Sequence, residues 1–417
     1  MENRRVVVTG VGMVTALGND VPSTWSGLLA GRSGAGPITH FDASRFKTQF
    51  ACEVKDLDTS AVMDVKESRK HDRYCQLALV AADEAMRDAT IDINKENATR
   101  CGVIMGSGMG GVHALDVNIG DFAAGDGTPH FSPFFIPMAI PNIAAGVLAI
   151  HYGFRGINFA TTSACASSSH AIATAFHYIR FGMADVMLTG GSEAAIEFAG
   201  VGGFNAVRAL STRNDDPEHA SRPFSASRDG FVLGEGAGCL VLEEYEHAVA
   251  HGAHIYAELV GAGMTSDAYH IVASDPEGIG AAQAMSIALQ EAGVRPSDVE
   301  YINTHGTSTP IGDLAEVKAI MQVFGEHAYD MNLTSSKSMT GHLLGGTGAV
   351  EAIISVLSLV HGVVTPTINH AEGDDDPAID SRLNFTFNKA QQRDMHYALN
   401  NNFGFGGHNA CLLFAKL

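Results

Sequence analysis

Short apolar runs, mostly β-branched, recur along the chain and alternate with stretches whose apolar residues repeat at helical spacing. That alternation predicts α/β architecture with buried strands. The predicted strands are "RRVVVTG", "CGVIMG", "ADVMLTGG", "GCLVLEE", "HIYAELVGAG", "VEYINTH" and "ACLLFAKL". Helices are predicted over 72–89, 168–181, 281–292 and 347–360, with Gly182 as a stop signal after the second. The stretch "VHALDVNIGDFAAGDGTPHFSPFF" offers neither a clear helix nor a further strand.

Two passages echo one another. "NFATTSACASSSHAIATAFHYI" and "NLTSSKSMTGHLLGGTGAVEAIISV" each read as a strand end, a Ser/Thr-rich turn, one reactive-type residue and a helix of small residues. "VVVTGVGMVTALGND" and "AELVGAGMTSDAYH" are also alike. The expected organisation is two related halves, 1–252 and 253–417, fused into one core because no low-complexity linker separates them.

Composition narrows the function. Hydrophobic residues are 46% of the 417, enough for a sizeable core, while the formal charge of −20 disfavours nucleic acid and anionic membranes as partners. The six cysteines have no C-x-x-C spacing, so neither a zinc site nor a disulfide framework is expected, and a reducing, cytoplasmic setting fits. Arg4 and Arg5 before an apolar run imitate a signal peptide, but Gly10, Gly12 and Gly18 make it a strand and turn. No apolar run of about 18 residues stands out, so no membrane span is expected.

Candidate chemistry gathers at four motifs. Cys165 lies among small residues where a strand pattern gives way to a helix; helix-terminal N–H groups would lower the thiol pKa and stabilise an oxyanion. "INTHGTSTP" places His305 at a strand end. "SSKSMTGHLLGGTGAVEA" places His342 in a similar turn, with Lys337 before it and Glu351 on the following helix. A thiol and two imidazoles at strand ends would suit acyl transfer, whereas His170 reads as an ordinary helix residue. "NNNFGFGGHN" sets Phe403 and Phe405 in a glycine-rich loop that could cover a pocket. Against these, "GSGMGG" (106–111) matches the dinucleotide pattern but lacks a visible helix after it.

Together these motifs resemble the β-ketoacyl-(acyl-carrier-protein) synthases of the thiolase-like superfamily, chiefly the synthase II type, from "VVVTGVGMVTALGND" through "RALSTRNDDPEHASRPFSASRDGFVLGEGAG", "HGTSTPIGDLAE" and "KSMTGHLLGGTGAVEA" to "NNFGFGGHN". The resemblance implies a five-layered αβαβα sandwich of two similar halves, a homodimer, and decarboxylative condensation of a malonyl thioester with an enzyme-bound acyl group. It implies that Cys165 is the acylated nucleophile and that His305 and His342 assist decarboxylation. Lys337 would set the electrostatics and Glu351 the structure behind them. The N–H groups of Cys165 and Phe405 would form the oxyanion hole, with Phe405 also gating the acyl pocket and Phe403 among the substrate-binding residues. Met109 would line the acyl slot, beside Phe134, Phe135 and Ile136, and Thr307 and Thr309 would bind the pantetheine arm. An acidic carrier protein would dock on Lys66, Arg69, Lys70 and Arg208, with Arg73 in the same basic run. No cofactor is implied beyond the carrier's phosphopantetheine, apart from a monovalent cation near Asn303, Glu351, Asn400 and Asn401. The chain departs from the commoner family pattern at Ser167, Ser168, Thr347 and His408.

Other readings fit less well. A degradative thiolase needs a second catalytic cysteine in a late Cys-Gly motif, and the only late cysteine, Cys411, lies in an apolar strand. A dinucleotide-dependent oxidoreductase rests on "GSGMGG" alone. A non-catalytic chain-length partner would lack the nucleophile. A polyketide ketosynthase is harder to set aside, and the expectation of a free-standing chain with no appended domains favours the fatty-acid role.

Overall fold

Ten strands form the central sheet of the computed structural model, which describes residues 3–417. They are β1 (Val6–Val14), β2 (Cys101–Gly106), β3 (Asn158–Thr161), β4 (Val186–Glu193), β5 (Gly236–Glu244), β6 (Ala257–Ser266), β7 (Tyr301–Asn303), β8 (Asn332–Thr334), β9 (Tyr397–Gly404) and β10 (His408–Ala415). The helices that matter below are α1 (Arg73–Asp88), α2 (Val112–Ala124), α3 (Ser167–Arg180), α4 (Tyr245–His251), α5 (Ile279–Ala292), α6 (Pro310–Phe324) and α7 (Thr347–His361). Every predicted strand and helix is present, with ends shifted by a few residues.

The strand order is β8-β7-β9-β10-β6-β1-β5-β4-β2-β3. From the centre outward, each five-strand group has the same sequence of connections: β1, β5, β4, β2, β3 on one side and β6, β10, β9, β7, β8 on the other. The two groups meet where β1 and β6 pair antiparallel, Val6 opposite Leu259. Helix α1 covers the first group and α5 the second, while α3 and α7 pack on each other and touch strands of both. The result is helix, sheet, helix, sheet, helix. The chain passes between the groups just after α4, at Gly252, whose left-handed φ of 74° ends that helix.

The echo between "VTGVGM" and "LVGAGM" has a packing cause. A Cβ at Gly10 or Gly12 would lie 2.1 or 2.0 Å from the carbonyl oxygens of Ala85 and Ala81 on α1. At Gly261 and Gly263 it would lie 2.1 and 1.8 Å from those of Ala288 and Ala284 on α5. Each group thus needs alternate glycines so that a helix backbone can settle directly on its first strand.

Two expectations change. Helix α2 does follow "GSGMGG", although no helix was legible there. Its apolar residues Val117, Ile119 and Phe122 are exposed, so no single buried stripe marks it. Leu344–His361 is also long and apolar enough to cross a membrane, but 89% of it is buried, as befits a helix between two sheets.

Candidate active site

Cys165 sits in the turn between β3 and α3, one residue before the helix's N-terminal cap, Ala166. Ala164 holds φ at 50°, left-handed backbone that an alanine adopts only at a cost in strain. That turn exposes the sulfur to a cavity while the residue stays 7% exposed. The small neighbours have a direct use. A Cβ at Gly404 would lie 3.0 Å from the Cys165 nitrogen, and one at Gly106 would lie 2.4 Å from the Ser168 nitrogen.

His305 lies two residues past the end of β7, as expected. His342 does not end a strand: a single helical turn, Lys337–Thr340, intervenes after β8, and its backbone N–H donates to the Val232 carbonyl at 2.7 Å. The tertiary fold nonetheless brings one ring nitrogen of each histidine and the Cys165 sulfur within 4.8 Å of one another. The rings meet edge to face, 5.4 Å between centroids, with Phe403 against His305 and Phe231 against His342.

The electrostatics differ from the sequence expectation. Burial pushes the Cys165 thiol up to about 12, against the opposing pull of the Lys337 charge and of the Phe405 and Cys165 N–H groups. Desolvation therefore outweighs the helix terminus, and the resting sulfur is a thiol. Burial, and then Lys337, hold His342 well below the ordinary imidazole value; His305 is lowered the same way, with His342 adding to the effect. Two neutral imidazoles beside a thiol can accept its proton during attack and later donate hydrogen bonds to an enolate. His342 Nδ1 lies 3.0 Å from the Thr347 hydroxyl. A proton donated by that hydroxyl leaves Nε2–H free to point into the site.

Lys337 Nζ is 2.6 Å from Glu351 Oε1, both residues 1% exposed. Ser336 and Asn402 also donate to this carboxylate. The N–H groups of Phe405 and Cys165 both act on the sulfur, opposing the rise that burial imposes on the thiol.

The cavity at Cys165 has a volume of about 300 Å³ and is lined by His305, His342, Thr307, Thr309, Phe403 and Phe405 among others. Arg208 stands on its lining too. Lys66, Arg69 and Lys70 do not: Arg69 lines a separate groove with Arg73, and Lys70 pairs with Glu67 at 2.5 Å. Met109 is not part of the lining either; it, Phe134 and Ile136 are exposed, and Phe135 is half-buried. In a single chain, therefore, these residues form outer surface and not an acyl slot. A larger groove of about 580 Å³ on another face is lined by acids such as Asp20, Asp83 and Asp88 and holds no nucleophile.

Several supporting residues were not singled out by the motifs. Glu193, fully buried, accepts from the N–H groups of Gly108, Met109 and Gly345 and from the Ser107 hydroxyl. A protein carboxylate thus occupies the amide nest of "GSGMGG" where a dinucleotide phosphate would have to sit. Glu316 holds the His305 and Gly306 N–H groups in the same way, and burial pushes both carboxyls up to about 7. Glu316 was visible in "HGTSTPIGDLAE" only as part of a motif. Thr347, a departure from the commoner family pattern, supplies the hydroxyl that meets His342 Nδ1.

The four residues of the expected cation position differ in how their polar atoms are satisfied. Asn303 Oδ1 and Asn400 Oδ1 are buried without partners, which suits a hard cation. Asn401 is committed to Glu316 and Cys411, and the Glu351 carboxylate to Lys337.

Residues 3–248 match the family described as "Beta-ketoacyl synthase, N-terminal domain", and residues 256–371 match its C-terminal domain. The chain is 49% identical over 415 residues to 3-oxoacyl-(acyl-carrier-protein) synthase 2 of Staphylococcus aureus (strain COL), covering 100% of this chain and 99% of the relative. It is 48% identical over 416 residues to the protein of the same name in Synechocystis, with the same coverage. Among solved structures, a type II PKS ketosynthase bound to the hexaketide, in complex with its acyl-carrier protein, superposes with a TM-score of 0.90 at 33% identity over the full length of both chains.

Proposed function

This chain belongs to the β-ketoacyl synthase family, and on that premise we propose how its residues perform the family's condensation. The reaction joins an enzyme-bound acyl group to a malonyl group on acyl-carrier protein, with loss of carbon dioxide, and lengthens the chain by two carbons. The enzyme is an acyltransferase acting in fatty-acid elongation, the reading favoured by near-50% identity to the synthase 2 relatives over 33% to the polyketide one. The observation that carries the mechanism is the convergence of Cys165, His305 and His342 in one cavity.

Cys165 attacks the acyl thioester while a neutral imidazole takes its proton. The carbonyl oxygen draws on the Cys165 and Phe405 N–H groups, and the carrier thiol departs with the proton. Malonyl thioester then enters. Its carboxylate C–C bond breaks, carbon dioxide leaves, and the bonding electrons form an enolate held by hydrogen bonds from His305 and His342. The enolate carbon attacks the acyl–Cys165 carbonyl; a C–C bond forms, the C–S bond breaks, and the thiolate takes up a proton from solvent, relayed by an imidazole. Loss of carbon dioxide supplies the carbanion, so no organic cofactor is required. Thr307 and Thr309, whose hydroxyls lie 3.0 Å apart on the lining, would hold the pantetheine arm.

The test is to mix the protein with acyl- and malonyl-carrier protein and look for the 3-oxoacyl product. No product at any acyl length would refute the reading. His342→Ala should slow malonyl decarboxylation by about 10²–10⁴-fold. In the parent enzyme that step should be flat from about pH 6.5 to 8, because burial and the Lys337 charge hold both imidazoles well below the ordinary value. A His342→Ala enzyme that releases carbon dioxide normally would remove the residue from this step.

The carrier protein docks at the cavity mouth beside Arg208, with Lys66, Arg69 and Lys70 as a second basic contact. Reversing the charge of Lys66 and Lys70 should raise KM for carrier substrates about tenfold with kcat held. An unchanged KM would return that run to plain solvated surface. A second copy of the chain covers the exposed apolar side chains around Phe122, Phe131, Phe134 and Ile136, giving a homodimer. There the partner's surface completes the acyl slot near Met109. Asn303 and Asn400 would hold a monovalent cation, whose charge steadies the backbone behind His305. Six free, buried cysteines suit the cytoplasm.

A further inference from the structure

Glu243, near the end of β5, has a fully buried carboxylate, and among the described residues its only ion-pair partners are two histidines of α4. His247 Nδ1 and His251 Nε2 lie 2.6 and 2.9 Å from the same oxygen, Oε2. Their i, i+4 spacing puts both rings on one face of the helix. The other oxygen, Oε1, accepts from the Thr9 hydroxyl, which fixes the carboxylate plane. His247 Nε2 in turn lies 2.9 Å from Glu96 Oε2. One ligand atom each from Glu243, His247 and His251 falls within 4.8 Å of the other two.

We propose that Glu243, His247 and His251 form a binding site for a divalent transition metal of the zinc class, ligated through Oε2, Nδ1 and Nε2. Two imidazoles and one carboxylate are a borderline donor set that suits zinc, cobalt or nickel and not magnesium or calcium. Glu96 supplies the outer carboxylate that orients a metal-bound imidazole and fixes its tautomer. Both histidine side chains are about a quarter exposed (23% and 26%), so water reaches the fourth position.

Ligands about 2.0–2.1 Å from a tetrahedral metal stand roughly 3.3 Å apart, so the rings swing outward slightly as metal replaces the bridging protons. The site is far from the chemistry. Gly236, at the other end of β5, packs on Leu343 next to His342, and seven residues of strand carry Glu243 about 23 Å away. Bound metal would clamp α4 to β5 just before the chain crosses into the second strand group.

The experiment titrates cobalt(II) into metal-free protein carrying Cys165→Ala, which removes the sulfur from the active-site cluster, at about pH 8. The expected result is visible ligand-field bands that saturate at one cobalt per chain, with a rise in Tm that grows with cobalt concentration. His247→Gln and His251→Gln should each abolish the bands and the Tm rise, while condensation with Cys165 intact stays at the parent rate. The partly exposed position of His251 keeps that variant foldable, and circular dichroism checks it. No bands in the parent, or bands that survive in both variants, would overturn the site and leave only a proton-bridged ion-pair clamp.

Discussion

Replacing Cys165 with alanine should abolish formation of the acyl-enzyme and lower condensation by at least about 10³-fold, with the fold intact. Intact-mass measurement after mixing with long-chain acyl-carrier protein reads the first effect: a gain equal to the acyl group in the parent and none in the variant. The reasoning rests on geometry more than on thiol acidity. Burial holds the sulfur protonated at neutral pH, so reactivity depends on a neutral imidazole within 4.8 Å accepting the proton as the bond forms. Alkylation by a small electrophile should accordingly accelerate with pH well above 8 in the free enzyme. A mass gain in Cys165→Ala would place the acyl group on another residue and sink the mechanism.

Glu351→Ala should be the most damaging change to stability near the site. It leaves the Lys337 ammonium buried without its carboxylate, 2.6 Å away in the parent. Breaking one side of a buried pair costs about 3–5 kcal/mol, and for a chain of this length a Tm lower by roughly 3–6 °C is expected. Removing both charges, as Glu351→Leu with Lys337→Met, should recover most of the Tm because no bare charge remains. It should not recover condensation, since the charge that acts on Cys165, His305 and His342 is gone with Lys337. Thermal melts of the single and double variants, beside turnover, separate the two roles. A Glu351→Ala protein that melts with the parent would show that the pair adds nothing to stability.

The Cys165 pKa was expected to fall, because a helix terminus can be read from sequence whereas the depth of the cavity cannot. Helix α2 was missed because its apolar residues face outward and give no amphipathic stripe. Met109, Phe134 and Ile136 carry the right chemistry for an acyl slot, yet one chain alone leaves them exposed. Glu193 and Glu316 were passed over because a carboxylate that satisfies backbone amides from distant loops has no local signature.

What the sequence determined by itself is whatever depends on neighbours along the chain. It specified the alternation of strands and helices, the paired G-x-G strands that repeat between the halves, and the residues able to do the chemistry: Cys165, His305, His342, Lys337 and Glu351. The tertiary structure decided what depends on residues far apart. Placing a thiol, two imidazoles and the Phe405 amide around one cavity requires β3, β7 and β9 and the turn before α7 to be packed together. The protonation of each group then follows from how much water that packing excludes, a property of the whole fold and of no single segment.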